Sequence, residues 1–483
     1  MRKKSVISVL LILCTIATTG CTTDAMANTT APNATEVATE KATKAKELCK
    51  VQIQSLDKQN LTDSVSYTIK SLTTNTETSL ITDSLTTQNG SANIELESGE
   101  YVIQANSSDF EKQFIISDGE TSKSISAENN SMYNILSNTN SVCFIGDSIT
   151  IGSAVDGHGW YDGLIERFPN ITTVDVAAKG GQTSASLFDN ETDMNIIKES
   201  SAHTYVIALG INDVIYRNSN SRASSYTSAE YISNYEKLVR LINEKDTTAE
   251  NDFIFIAPFE YINKYSYTLT KYIRRENTHE EYTVALYNWC KQNNYTFVAP
   301  MNYIKNTLSS VENASDYTVD DIHPSYPLGT KLYSEAVYES SVLNNTGTLK
   351  ITQLFYNEAD RNKTDTDYET YPTDYILTDV NSEIMQNTYF TIKNYSTGEY
   401  IDLKKSDTTG KYEYEKTSTE PRYYHPTSTD GSFTVDNIPE GGYIIKFEYN
   451  KKGYTSYLDT EIVFVNGGNT VTNSSIYMKN TAQ

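Results

Sequence analysis

From Val51 to about residue 128 apolar and polar positions alternate, in VQIQSL, SVSYTIKS, ANIELESGEYVIQA, KQFIISD and SKSISA. A period of two turns successive side chains to opposite faces, so each run predicts a half-buried strand. Turn residues punctuate the runs at Gln88-Asn89-Gly90, Ser98-Gly99 and Asp118-Gly119. Short strands at this spacing predict a small β-sandwich over 47–128. Between 140 and 344 the pattern changes. Apolar runs VCFIG, VDVAA, YVIALG, DFIFIAP and YTFVAP alternate with amphipathic stretches such as SAEYISNYEKLVRLINEK and HEEYTVALYNWCKQNN. Strands apolar on both faces, separated by helices, predict a parallel sheet covered on both sides: a three-layer α/β unit. Over 347–480 the alternation returns in GTLKITQLF, NTYFTIKN, GSFTVDNIPEGGYIIKFEY, EIVFVNG and SSIYMKN, which predicts a second β unit.

The first 20 residues fit neither pattern. A basic start, Arg2-Lys3-Lys4, precedes an apolar run from Val6 to Ile16. That run is too short for ~30 Å of hydrocarbon, so it predicts the apolar region of a signal peptide. Thr18-Thr19-Gly20-Cys21 resembles the lipobox of bacterial lipoproteins, with Thr18 where Leu is usual. The resemblance implies that Cys21 becomes the lipidated N-terminus of an exported chain held at the outer face of the cell membrane. An ordinary secretory signal is the alternative. Residues 21–46, rich in Thr, Ala, Asn, Lys and Glu without an apolar period, predict a disordered stalk.

Composition narrows the function classes. Asp and Glu number 62 against 39 Lys and Arg in 483 residues, a formal charge of −23. With no basic stripe to compensate, such a chain repels phosphate backbones, which argues against nucleic acid as partner. The five Cys lie at 14, 21, 49, 143 and 290, too scattered for a disulfide framework. Cys143 falls on a buried-type strand and Cys290 on an apolar helix face, as core thiols do. The chain has no His-Glu-x-x-His, no Cys-x-x-Cys and no phosphate-cradling glycine loop, so no metal, nucleotide or other cofactor is implied.

The chemistry sits at the predicted strand ends of the α/β unit. The first strand ends in Gly146-Asp147-Ser148, the second is followed by Gly180-Gly181-Gln182-Thr183, and the third by Gly210-Ile211-Asn212-Asp213. Asp320-Asp321-Ile322-His323-Pro324 precedes the last helix. This order of blocks resembles the SGNH (GDSL-type) hydrolase family, over residues 142–344. The resemblance implies a flavodoxin-like three-layer fold and an acyl-enzyme on Ser148. It makes His323 the base, Asp320 the orienting acid, and Ser148, Gly181 and Asn212 the oxyanion hole. The residue types suit that chemistry, since a hydroxyl becomes nucleophilic when an oriented imidazole takes its proton, and a developing oxyanion needs fixed donors. Asp321 is the runner-up acid, Asp147 a loop-holding group, and Asp213 a helix cap. His158 and His425 are read as surface residues, and Trp160-Tyr161 as packing or as the pocket floor.

In the last unit, GSFTVDNIPEGGYIIKFEYNKKGY resembles the signature of Cna-B-like prealbumin domains of Gram-positive surface proteins. Lys350, Glu448 and Asn473 are out of register for the Lys–Asn isopeptide bond of such domains, and Phe447 stands where the catalytic Glu would point inward. Both β units are read as spacers or adhesion modules. The expected substrate is a short-chain ester, acetyl foremost, on a carbohydrate. That rests on export, on a Tyr-rich stretch from Phe259 to Arg275, and on the lack of an apolar lid. A lysophospholipase or thioesterase, or a glycan-binding protein without turnover, are the alternatives.

Overall fold

The computed structural model describes residues 48–72, 78–108, 110–218, 226–245, 250–260, 273–320, 322–341, 346–356, 376–377, 388–427, 432–449, 454–456, 460–466 and 470–480. The leader with Cys21, the stalk, Asp321 and the stretch 261–272 lie outside these residues.

The first alternating runs form β1 (Cys49–Asp57), β2 (Asn60–Leu61), β3 (Ser66–Leu72), β4 (Thr78–Thr86), β5 (Ser91–Leu96), β6 (Gly99–Ala105), β7 (Glu111–Ile116) and β8 (Ser122–Glu128). One sheet joins β2, β1 and β5, with β8 also paired to β1; the other runs β4-β3-β6-β7. Inward residues of both sheets, among them Val51, Ile53, Tyr67, Ile103, Phe114 and Ile125, share one buried core.

The α/β part follows as α1 (Ser131–Asn138), β9 (Ser141–Gly146), α2 (Ser148–Ile151), α3 (Tyr161–Ile165), β10 (Thr173–Ala178), α4 (Glu191–Glu199), β11 (Thr204–Ala208), α5 (Ile211–Asn218), α6 (Ser228–Lys245), β12 (Asp252–Ile256), α7 (Ile273–Asn293), β13 (Thr296–Val298), α8 (Met301–Ser310) and α9 (Leu328–Ser340). Its five strands lie in the order β10-β9-β11-β12-β13, and every pairing is parallel. Alternate strand residues feed two cores. Val142, Phe144, Val206, Ala208, Ile254 and Ile256 face α1, α3, α8 and α9. Cys143, Ile145, Tyr205, Ile207, Phe253 and Phe255 face α4, α6 and α7. The sheet is therefore covered on both faces, as its apolar runs require. VDVAA departs from the buried reading: as β10 it is an edge strand, and its first residues are exposed. Met132 and Leu136 of α1 join the first core, although α1 precedes residue 140.

The last part comprises β14 (Thr346–Tyr356), β15 (Ile376–Leu377), β16 (Thr388–Asn394), β17 (Tyr400–Lys405), β18 (Tyr412–Ser418), β19 (Ser432–Pro439), β20 (Gly441–Tyr449), β21 (Tyr454–Ser456), β22 (Thr460–Val465) and β23 (Thr470–Asn480). Its strands are hydrogen-bonded in one continuous order, β21-β23-β14-β19-β18-β17-β16-β20-β22, with β15 on β14. Strands from separate parts of that order, β14, β16, β19, β20 and β22, share a single core. Lys350 pairs with Thr472 and Asn473 with Ile351, one residue apart in register. Glu448 is ion-paired to Lys446 at 3.3 Å, and Phe447 is buried in the core.

Candidate active site

Strand register brings the expected blocks to one edge. Gly146 at the end of β9 pairs with Ala178 of β10 and with Ala208 of β11. The segments carrying Ser148, Gly181 and Asn212 therefore leave the sheet at the same level. They flank the point where chain order reverses, between β9 and β11, which is where such sheets form their crevice.

The turn into α2 depends on Gly146. A Cβ there would lie 2.1 Å from Thr150 Oγ1, so only glycine lets the helix fold back on its strand. Asp147 caps α2, its Oδ1 accepting the Ile149 N–H at 3.0 Å. Burial pushes this carboxyl up to about 7, against the backbone hydrogen bond from Ile149, and nearby Asp213 adds to the rise. Asp147 is thus occupied as a cap. Thr150 in turn accepts from Trp160 Nε1 at 3.3 Å, and Trp160 is fully buried against Phe144 and Phe259; its role is packing.

Ser148 Oγ lies 2.9 Å from His323 Nε2. On the other side of the ring, Nδ1 is 2.9 Å from Asp320 Oδ2 and 3.1 Å from Oδ1. Asp320 is itself held, since its Oδ1 accepts the backbone N–H groups of Ile322 and His323 at 2.7 Å each. The loop is closed by the Val319 N–H donating to the His323 carbonyl at 2.9 Å. Partial burial raises the Asp320 carboxyl, but the bonds from the His323 ring and from the two backbone amides outweigh it, and the net position is below the usual carboxylate value. An ionised Asp320 keeps the imidazole proton on Nδ1, so Nε2 offers its lone pair to the serine hydroxyl.

The second and third blocks are tied to the first. Gln182 Nε2 donates to the Gly146 carbonyl at 2.8 Å, and Asn212 Nδ2 donates to the Gln182 carbonyl at 3.0 Å. One amide N–H of Asn212 is spent in this way, which orients the other. Gly181, exposed, has φ +73°, a conformation that suits glycine. A Cβ on neighbouring Gly180 would stand 4.0 Å from Ser148 Cβ, so this backbone runs alongside the nucleophilic position.

Asp213, expected from the sequence to cap α5, makes its strongest bonds to the second block. It lies buried in the helix's first turn and accepts from Ser184, from N–H at 3.0 Å and from Oγ at 2.6 Å. Burial pushes it up to about 6, opposed by those bonds. It pins the second block to the third. Gln182, Ser184 and Asn190, whose Nδ2 donates to Gln182 Oε1 at 2.9 Å, are supports that no spacing rule announced.

His158 is exposed, as expected, but not idle. Its ring stacks on that of Tyr326, centroids 3.9 Å apart and 13° from parallel, linking the loop after α2 to the loop after His323. Of the remaining histidines, His203 and His425 are exposed, and buried His279 donates from Nε2 to the Pro258 carbonyl at 2.6 Å. Cys143 and Cys290 are fully buried; burial pushes the first up to about 12 and the second well above its ordinary value. Among the described residues no group of three His, Cys, Asp or Glu could hold a metal ion.

A Ser–His–Asp relay beside an oriented amide and a glycine backbone is equipped for acyl transfer through a tetrahedral oxyanion. Residues 144–327 match the GDSL-like Lipase/Acylhydrolase family, a span that contains Ser148, Gly181, Asn212, Asp320 and His323. No curated protein matches the chain in sequence. Among solved structures, the acetylxylan esterase Axe2 of Geobacillus stearothermophilus is similar at 20% identity with a TM-score of 0.34, covering 43% of this chain and 95% of its own. A GDSL-like lipase of Parabacteroides merdae is similar at 17% identity with a TM-score of 0.33, covering 42% and 95%. The α/β hydrolase LAE5, from the metagenome of Lake Arreo, Spain, is similar at 19% identity with a TM-score of 0.32, covering 42% and 94%.

Proposed function

We propose that this chain, a serine hydrolase of the SGNH/GDSL type acting on carboxylic esters, removes short acyl groups, acetyl foremost, from hydroxyls of a carbohydrate. The observation that carries the reading is the unbroken relay from Ser148 Oγ through His323 to Asp320. Ser148 attacks the ester carbonyl while His323 Nε2 takes its proton. The oxyanion is met by the Ser148 and Gly181 backbone N–H groups and by the Asn212 amide. His323 then gives the proton to the departing sugar oxygen, leaving an acyl group on Ser148. A water, deprotonated by the same nitrogen, releases the acid and restores the hydroxyl.

The surroundings of the nucleophile support a short acyl group. Ser153, Lys179, Gly180 and Gly181 beside the nucleophile are exposed and small or polar, and the exposed His158–Tyr326 plate offers a flat face to a sugar ring. A long-chain reading has one observation in its favour: Val319, Tyr326 and Leu328, bracketing His323, are 46%, 55% and 46% exposed, an apolar rim on which an acyl tail could lie. Measuring kcat/KM on p-nitrophenyl esters from acetyl to dodecanoyl, with Ser148→Ala as control, separates the two. A polar cleft keeps the value flat or falling. A lipid groove raises it about fourfold per carbon, from ~0.8 kcal/mol per buried CH₂.

The location belongs to the same proposal. Lipid on Cys21 would hold the enzyme at the outer membrane face, with the flanking β units, the last one Cna-B-like, acting as spacers toward the glycan. Among the described residues no helix is long and apolar enough to cross a membrane. Globomycin-sensitive processing, with membrane association lost in Cys21→Ala, supports this; a soluble wild-type chain beginning at another residue overturns it.

A further inference from the structure

Helix α9 begins just past His323 and runs back along the sheet for 13 residues, about 20 Å, to the opposite edge. At that edge, where β13 begins, lies an open cleft of about 490 Å³ that does not reach the relay. All three parts of the molecule line it: Asn106 and Ser108 from the first, Tyr295, Phe297 and Ser340 from the second, and Glu440 from the third.

The walls are fixed by contacts of their own. Asn130 Nδ2 donates to the Ser341 carbonyl and, at 2.9 Å, to Asp57 Oδ1, which docks the first part onto the end of α9. Tyr287 OH donates to the Glu440 carbonyl at 3.4 Å, and the Tyr287 ring packs at 5.0 Å on Phe464, which docks the third. Neither junction can close the cleft without breaking these bonds.

Ser340 supplies an independent sign. It is only 6% exposed, yet its hydroxyl has no hydrogen-bond partner among the described residues. A buried hydroxyl left unmatched is uncommon and unfavourable. The hydroxyl is sealed from solvent, but its residue borders a cleft with room for a small molecule, and a change of rotamer would turn the hydroxyl to a ligand there.

We propose that this cleft is a second binding site, for a segment of a neutral oligosaccharide. The lining combines hydroxyls and amides with the aromatic residues Tyr287, Tyr295 and Phe297, the pairing that recognises a sugar's polar edge and its apolar face. The charges on Lys291 and Glu440 are opposite and offset each other, so nothing selects a charged ligand. The lining is too polar for an acyl chain. A polysaccharide held at this edge would raise the local concentration of esters at the other, as linked sites do.

The test uses the full chain and three unacetylated, neutral probes: xylotetraose, cellotetraose and mannotetraose. Saturation-transfer NMR identifies a binder and calorimetry gives its Kd. Ser340→Ala is expected to weaken that binding about five- to tenfold, the value of one hydrogen bond. It should also raise the melting temperature of the free protein, because it removes the unmatched hydroxyl, and leave p-nitrophenyl acetate hydrolysis unchanged. Lys291→Ala, at the exposed rim, keeps the test open should Ser340→Ala fail to fold, and is also expected to weaken binding. Failure of all three probes to bind, or unchanged affinity in the folded variants, overturns the proposal. Because binding is read without turnover, an inactive esterase with an intact cleft would refute only the ester reading.

Discussion

Three carboxyls around Ser148 pull stability in opposite directions with pH. Asp147 and Asp213 are pushed up to about 7 and about 6 by burial, so between roughly pH 4 and 7 the folded chain holds protons that the unfolded chain has released. Their contribution to stability therefore falls as pH rises through that window and is level above it. Asp320, held below the ordinary value, contributes the reverse: its stabilisation is present above the unfolded pKa and is lost as pH falls through the folded one. Asp147→Asn keeps a capping oxygen and cannot ionise. It should remove roughly 2–4 kcal/mol of the decline between pH 5 and 8, read from denaturation midpoints. An unchanged slope would show that Asp147 is not the titrating group. Asn212→Ala should lower kcat on the order of 10²–10³-fold with little change in KM, the signature of a lost oxyanion donor; a change in KM alone would make Asn212 a ground-state contact. Three of the four blocks could be read from the chain because each follows a strand end within a few positions, and the fourth because its Asp and His stand three residues apart just before the last helix. Gln182, Ser184 and the His158–Tyr326 stack could not, since their partners lie far away in sequence and no periodicity joins them.

At the scale of elements, the fit of α2 against β9 sets where Ser148 stands. A Cβ at Gly146 would meet Thr150 Oγ1 at 2.1 Å and Thr150 Cβ at 2.5 Å, both within a buried helix turn. Gly146→Ala must shift α2, and with it the 2.9 Å contact to His323. A loss of tenfold or more in kcat/KM on p-nitrophenyl acetate, with about 1–3 kcal/mol of stability, is the expected outcome. Wild-type kinetics would mean that the nucleophile does not depend on this packing. Helix α6 is the amphipathic run Ser228–Lys245 end to end, because its apolar positions keep helical period throughout. The edge position of β10 was hidden, since an apolar run reports burial of some residues but not which neighbours a strand has. The register that levels the three blocks is likewise a property of pairing, invisible in any one strand.

Over the whole molecule, alternation of period two, then strand with helix, then period two again marked the three regions in the chain. How they pack against one another left no pattern, because the residues that meet are single positions scattered over distant elements. Val284, Tyr287, Ala257 and Ala299 of the α/β part form one buried cluster with Phe464 of the last part. The Phe464 N–H donates to Glu280 Oε2 at 3.0 Å, and Asn302 Nδ2 donates to Asn466 Oδ1 at 2.8 Å. Gly442 lies so close that a Cβ would meet Val284 Cγ1 at 2.5 Å. Gly442→Val should therefore loosen this junction, speeding limited proteolysis several-fold, and leave p-nitrophenyl acetate hydrolysis within about twofold, because the side chain it displaces, Val284, is not part of the relay. Unchanged proteolysis would show the contact to be dispensable. The central claim is that Ser148 is the nucleophile, and its most direct test is covalent. Treatment with a fluorophosphonate followed by peptide mass mapping should find one modified residue, Ser148, with labelling abolished in Ser148→Ala and slowed by orders of magnitude in His323→Ala. Modification of another residue, or labelling at the wild-type rate in either variant, would contradict the account.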